Sequence, residues 1–413
     1  MINHVLCMSC VSCGEEHSVD DMFFRCTRCN EPYTVNYDLS KLSQILHNKS
    51  FQKREWDVWR YHELLPINNK VNMISLMEGG TPLIKSTTLA KELGIKELYL
   101  KDETRNPTWS YKDRGTAVGV SKAIEVNAKA VAAASTGNMG SSISAYSAKA
   151  DIRCIILITA KTPIEKVVQI LIHGANTFAV DQPYPELYRM LFEMSEKYRV
   201  YLVHSDSPMR VEGQKTAAFE VCEQLAWICP DKVIIPTSSG GNISAYWKGF
   251  LEFNTLKFIA RVPNMVCIQA AGCAPIVKAF KEGRDYPEPW LSPETVAHSI
   301  SNPNPSLASG RRCLDLLKKS NGIAEDVSDD EILGAQKLLA KTEGIFAEPA
   351  AAASIAGLKK LINNGYICSD DRVVCVITGA GLKDVKSALK NCKSPLNIKT
   401  RDELWGALSR YLN

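Results

Sequence analysis

Short β-branched or apolar runs at residues 97–101, 130–134, 153–160, 177–180, 200–203, 232–236, 265–270 and 372–378 alternate with segments of helical pattern. Strands separated by helices build parallel sheets covered on both faces, because a parallel crossover needs a connection about as long as a helix. An α/β chain with parallel sheets is therefore predicted, and 413 residues suffice for two or three domains with a large core. Lys and Arg total 49 against 45 Asp and Glu, a net charge of +4. So small an excess excludes a strongly basic nucleic-acid or membrane-surface binder. No run approaches the length of a membrane-spanning helix, and residues 1–6 lack the pattern of a secretory signal. A soluble, cytoplasmic protein that acts on a small molecule, with no nucleic-acid or membrane partner, is expected.

Fourteen cysteines are unevenly placed: nine are scattered through the chain, several in apolar runs, and five crowd into residues 7–29. Cys10-Val-Ser-Cys13 and Cys26-Thr-Arg-Cys29 form two C-x2-C pairs twelve residues apart, the signature of two knuckles that hold one tetrahedral zinc. Four thiolates leave no open coordination position, so such a metal would be structural. Cys7 offers a rival pair with Cys10.

Chemistry-bearing loops follow the predicted strands, where open α/β sheets bind ligands. Asn106-Pro-Thr-Trp-Ser-Tyr-Lys-Asp-Arg-Gly115 sets Lys112 between turn residues and a helix predicted over 116–128. A lysine in a desolvated pocket can condense with an aldehyde as a Schiff base. Ala134-Ser-Thr-Gly-Asn138 offers helix N-terminal N–H groups to a carboxylate, and an Asn138 amide to a ring hydroxyl. Thr237-Ser-Ser-Gly-Gly-Asn242 suits a phosphate monoester, because its glycines admit an anion and its serines donate without adding charge. Thr378-Gly-Ala-Gly381 presents one hydroxyl. Together these are the groups that pyridoxal 5'-phosphate needs.

In its ordered motifs the chain resembles the threonine synthase group of fold-type II pyridoxal-phosphate enzymes, whose fold is shared with tryptophan synthase β. The motifs are the cysteine ribbon with Val35-Asn-Tyr-Asp38, Glu78-Gly-Gly-Thr-Pro82, Lys101-Asp-Glu103, the Lys112 stretch and Ser135 to Asn138. They continue with Arg210-Val-Glu-Gly-Gln-Lys-Thr216, the glycine loop, Ala271-Gly-Cys-Ala-Pro275, Glu343-Gly-Ile-Phe-Ala-Glu-Pro349 and Thr378 to Asp384. The resemblance implies that Lys112 carries the cofactor as a Schiff base and serves as the proton carrier. Asn138 would bond the 3'-hydroxyl, Ser238, Ser239, Gly240, Gly241 and Asn242 the phosphate, and Thr378 would face the pyridine nitrogen. Ser135, Thr136, Gly137 and position 139 would hold the substrate carboxylate, and Ser205 and Arg210 the substrate phosphate. It further implies a zinc-ribbon-like segment over 1–39, a large cofactor domain over 40–100 and 211–390, a small substrate domain over 101–210, a C-terminal helical extension over 391–413, and a homodimer.

Three positions depart from that pattern. Trp109 stands where the family has glycine, Met139 where it has threonine, and His204 where it has the asparagine of the phosphate-binding pair. Trp109 and Met139 are expected to remove room or polarity from the substrate site. The expected reaction is elimination of phosphate from O-phosphohomoserine to give threonine. The alternatives are β-replacement on O-phosphoserine, as in cysteate synthase, another nucleophile in specialised metabolism, and a threonine dehydratase-like reaction.

Overall fold

The computed structural model describes residues 4–162, 164, 167–205, 207–305, 307–390, 392 and 394–412. Residues 1–3 of the N-terminal segment and 391, 393 and 413 of the C-terminal extension lie outside the described residues. Strands β1 (Val5–Cys10), β2 (Glu16–His17) and β3 (Tyr33–Tyr37) pair antiparallel in the order β2-β1-β3. They are followed by β4 (Leu83–Lys85), β5 (Glu97–Asp102), β6 (Ala130–Ala134), β7 (Cys154–Thr159), β8 (Asn176–Val180) and β9 (Val200–Leu202). The last four are β10 (Lys232–Pro236), β11 (Asn264–Ala270), β12 (Ile323–Val327) and β13 (Arg372–Ile377).

Two parallel sheets result, as the alternation of strands and helices predicts. The larger has the order β12-β11-β10-β13-β5-β4, with only β4 antiparallel; the smaller is β8-β7-β6-β9. Strand β6, Ala-Val-Ala-Ala-Ala, is buried along its whole length, as a strand covered by helices on both faces must be. In the larger sheet β10 and β13 are neighbours, so their carboxyl-end loops, 237–240 and 378–381, emerge side by side.

Several expectations change in detail. The helix after the lysine loop is Lys112–Glu125, so Lys112 is its first residue and not a neighbour of its start. Strands β4 and β12 and the three ribbon strands add to the predicted set. The loop 283–304 is stitched to the larger sheet, where Glu294 N–H donates to Gly272 O and Thr295 Oγ1 to Asp329. In the segment between the ribbon and β4, Trp59 and Tyr61 pack inward and Trp56 is half-exposed beneath Arg60. The extension carries a helix at Arg401–Leu412. Among the described residues no helix is long and apolar enough to cross a membrane.

A dry ionic network joins the site-bearing segments. Arg114 donates from Nε and Nη2 to both Glu103 oxygens at 2.7 Å, and from Nη1 and Nη2 to both Glu220 oxygens at 2.6 and 2.8 Å. Lys101 donates to Glu220 at 2.6 Å and to the Thr81 carbonyl at 2.8 Å. All four charged side chains are fully buried. Burial alone would raise Glu220, but Arg114 and Lys101 overcome it and hold the carboxyl down at about 2; Glu103 is lowered by the same guanidinium. Beside this network Gly115 and Gly213 let two helices touch: a Cβ on Gly213 would lie 2.1 Å from Arg114 O, and one on Gly115 2.8 Å from Arg210 O.

A carboxyl held below its unfolded value stabilises the fold above the ordinary carboxylate range and ceases to do so as pH falls. Equilibrium unfolding followed against pH is therefore expected to show stability falling from about pH 4.5 towards pH 2, the span between the unfolded and folded values of Glu220. Glu220→Gln, which leaves Arg114 and Lys101 under-compensated, is expected to cost about 3–5 kcal/mol in urea unfolding at neutral pH.

Candidate functional site

Lys112 reaches the site because its loop is sewn to the end of β13. Tyr111 N–H donates to Thr378 O at 3.0 Å, Ala380 N–H donates to Trp109 O at 3.0 Å, and Ser110 bridges to Gly379. The next residue, Asp113, is buried and accepts from Thr108 N–H at 2.7 Å, Thr108 Oγ1 at 2.5 Å and Ser142 Oγ at 2.6 Å. Burial raises its pKa against those three donors. Lys112 Nζ itself is half-buried and donates to Tyr111 OH at 2.7 Å.

Asn138 opens the helix Asn138–Lys149 after β6. Its Nδ2 donates to both oxygens of Glu348, at 3.0 and 3.2 Å, so the amide expected to meet a ring hydroxyl is oriented by a buried carboxyl. Burial pushes Glu348 up, opposed by the donors Asn138 and Ser299 and by the charges of Lys383 and Lys112. Thr378 is buried on the same side, and a Cβ on Gly379 would fall 2.8 Å from Glu348 Oε1. In the same turn as Asn138, Ser135 Oγ accepts from Gly140 N–H at 3.2 Å, while Thr136 is half-buried and Gly137 is exposed.

The glycine loop has the form of an anion cradle. Gly240 adopts φ +94°, and a Cβ there would meet Ser309 O at 2.6 Å. Asn302 Nδ2 donates to Ser239 Oγ at 2.6 Å, and Gln269 Nε2 donates to Ser238 O at 3.2 Å. The helix Gly241–Thr255 then begins, and Asn242 Nδ2 at its first turn is buried without a protein acceptor. A buried amide aimed from a helix N-terminus, beside glycine-lined backbone, fits the phosphate of pyridoxal 5'-phosphate.

Two substrate expectations converge here. Ser205 O lies 3.4 Å from where a Cβ on Gly241 would sit, so the segment bearing Ser205 abuts the glycine loop. Arg210, buried in the helix Pro208–Gln224, places Nη1 2.9 Å from Met139 Sδ and 3.4 Å from His204 O. Met139 thus touches the guanidinium. Trp109 behaves otherwise. Its φ is +68°, the left-handed region that favours glycine, and its half-exposed ring lines a surface groove with Asn106, Pro107, Phe346 and Leu382. Lys112, Asn138 and Ser238 do not line that groove, but Lys383 Nζ lies 5.9 Å from the centre of the Trp109 ring.

Two residues escaped sequence reasoning although both lie in the motifs named above. Glu348 is one. Lys383 is the other: burial presses its ammonium down to about 8 against the pull of Asp113 and Glu348, and Nζ donates to Gln169 Oε1 at 2.5 Å, linking the two sheet units. The signal for each was a charged residue inside an otherwise apolar or glycine-rich loop.

At the ribbon the four sulfurs of Cys10, Cys13, Cys26 and Cys29 lie within 4.8 Å of one another. A tetrahedral zinc with thiolates at about 2.3 Å needs sulfurs about 3.8 Å apart, so the cluster can hold a structural zinc. Cys7 does not belong to it.

Residues 74–379 match the family described as pyridoxal-phosphate dependent enzyme. The chain is 44% identical over 391 residues to threonine synthase of Methanocaldococcus jannaschii, covering 94% of this chain and 96% of that one. It is 42% identical over 389 residues to threonine synthase of Methanosarcina acetivorans, covering 94% and 95%. Among solved structures it superposes on the processed form of threonine deaminase isoform 2 from Solanum lycopersicum with a TM-score of 0.64 at 22% identity, covering 78% and 88% of the two chains. Serine racemase from Dictyostelium discoideum gives 0.62 at 24%, covering 73% and 92%. These two show the fold alone.

Gly240→Ala, by forcing a Cβ onto Ser309 O in a left-handed turn, is expected to weaken cofactor affinity by about 10–100-fold. Titration of the apoprotein with pyridoxal 5'-phosphate, with circular dichroism as the control for folding, measures it.

Proposed function

Because the chain belongs to the family of pyridoxal-phosphate dependent enzymes and is threonine synthase-like, we propose that it converts O-phosphohomoserine and water to threonine and phosphate. The observation that carries this substrate is Arg210: a buried guanidinium held between the Met139 turn and the Ser205 segment, next to the glycine loop. Arginine binds a phosphate through two parallel N–H bonds, and a phosphorylated amino acid gives it that partner. Bound at Lys112, the cofactor supplies the electron sink that acidifies carbon-bound hydrogens of the substrate. The protein does the rest. Lys112 Nζ takes the α-proton and then a Cβ proton, which loss of phosphate from Cγ requires; protons return to Cγ and Cα while water supplies the hydroxyl at Cβ, and the first-turn N–H groups after Ser135 hold the α-carboxylate. Thr378 would face the pyridine nitrogen with a neutral hydroxyl, which does not sustain a ring proton as a carboxylate would. Glu348 supports the role of Asn138 by fixing its amide.

A second reading, β-replacement on the shorter O-phosphoserine, is favoured by Met139, whose thioether occupies space against Arg210 where a longer substrate would extend. For assembly and compartment we propose a cytoplasmic homodimer. Half-exposed Trp109 and Phe346 and exposed Leu382 supply apolar surface for a partner, and fourteen unpaired thiols fit a reducing compartment.

Phosphate release from O-phosphohomoserine and from O-phosphoserine, assayed in parallel with the product identified by mass, tests the assignment. Threonine from the first substrate is expected; turnover of phosphoserine alone would replace it by the second reading. Lys112→Ala is expected to lower turnover by about 10²–10⁴-fold and to abolish the visible absorbance of the lysine-bound cofactor.

A further inference from the structure

The cysteine ribbon does not hang free of the site. Between its knuckles Phe24, 6% exposed, meets Tyr201 edge-on with ring centres 5.1 Å apart and His204 at 5.8 Å. Beyond the second knuckle, β3 presents Tyr37, whose hydroxyl donates to Glu212 Oε2 at 2.8 Å and whose ring lies 4.1 Å from Lys215 Nζ. Lys248 donates to Val35 O at 2.6 Å and also to Glu212, closing the same contact. Asp20, near Phe24, pairs with buried Lys122 at 2.9 Å on the helix that Lys112 begins. The ribbon therefore contacts Tyr201 and His204 on one side and Glu212 and Lys215 on the other, the neighbours of Ser205 and Arg210.

We propose that the cysteine ribbon, folded around its zinc, is a clamp on the phosphate end of the substrate site, acting through Phe24 on Tyr201 and His204 and through Tyr37 on Glu212. The proposal rests on Ser205 and Arg210 being the substrate-phosphate pair. Phe24 and Tyr37 are positioning residues; neither reaches the substrate. The helix Pro208–Gln224 already fixes the backbone of Arg210, and the ribbon's contacts with His204 and Glu212 add a second hold on the neighbours of the guanidinium and of Ser205; where that hold is loosened, the ligand must supply the ordering. Lys112 and the glycine loop have ties of their own, to Thr378, Asp113 and Ser309, beside the ribbon's contacts with Lys122 and Lys248 on their helices, and Phe24 touches neither of them.

Calorimetric titration of the holoenzyme with inorganic phosphate tests the clamp, since in that form the cofactor's own phosphate fills the glycine loop. Phe24→Ala is expected to raise the phosphate Kd about tenfold and the KM for O-phosphohomoserine by the same factor, with kcat, zinc content and cofactor absorbance kept. Tyr37→Phe, which keeps the ring and removes one hydrogen bond, is expected to move both constants the same way by a smaller factor, and it decides the matter if Phe24→Ala does not fold. Phe23→Ala is the control, because that ring is 42% exposed and packs on His17 within the ribbon. Its constants should be those of the wild type. Wild-type phosphate affinity in both Phe24→Ala and Tyr37→Phe overturns the clamp alone; a wild-type holoenzyme that binds no phosphate overturns the substrate reading and the clamp with it.

Discussion

Arg114 between Glu103 and Glu220 is the contact on which the site depends. Its guanidinium spends its donors on two buried carboxylates and on Thr81 and Thr216. Lys101 balances the second negative charge. Four segments far apart in sequence meet there: Gly79 to Thr81, Lys101 to Asn106, the start of the Lys112 helix, and Thr216 to Glu220. A charge removed from water is tolerated only with its partners in place, so each of these backbones has one permitted position relative to the others. Lys112 is two residues from Arg114 and inherits that precision.

Around this anchor the site is made of strand ends. Because β6, β10 and β13 lie in parallel sheets, the carboxylate turn, the glycine loop and the Thr378 loop all open at carboxyl edges. The Gly115–Gly213 contact then presses the Lys112 helix against the helix that carries Arg210. Trp109 shows how rigid the arrangement is. It holds a backbone conformation suited to glycine, and since both its N–H and its carbonyl are committed, to Asn106 and Ala380, the loop keeps that path while the ring turns out to the surface groove.

How much of this was legible followed the chemistry of each element. The parallel strands were readable because strands buried on both faces are continuous apolar runs. Strand β12 was not: it is an edge strand containing Glu325 and Asp326, which pair with Lys281 and Lys360. Strand β4 is three residues long and carries no pattern. The cysteine cluster was readable from its spacing, and the place of Lys112 at the start of a helix from the turn residues before it. The ion network was not, because Lys101, Glu103, Arg114 and Glu220 look like surface residues until their partners are known. Nor could spacing reveal that Asn138 is held by Glu348, 210 residues away.

His204 connects the departures from the family pattern to the ribbon. In the resembling family this position is an asparagine that helps bind phosphate. Here the ring accepts no such simple exchange: Nδ1 is 3.0 Å from Tyr188 OH, and the ring is flanked by Phe24, Tyr188 and Phe192. A side chain built into an aromatic cage gives up adaptability and gains a fixed position. The His204 carbonyl accepts from Arg210 Nη1 at 3.4 Å, so the fixed ring also fixes the backbone on which that guanidinium leans. His204 thus links the ribbon's Phe24 to Arg210, the same guanidinium that Met139 touches.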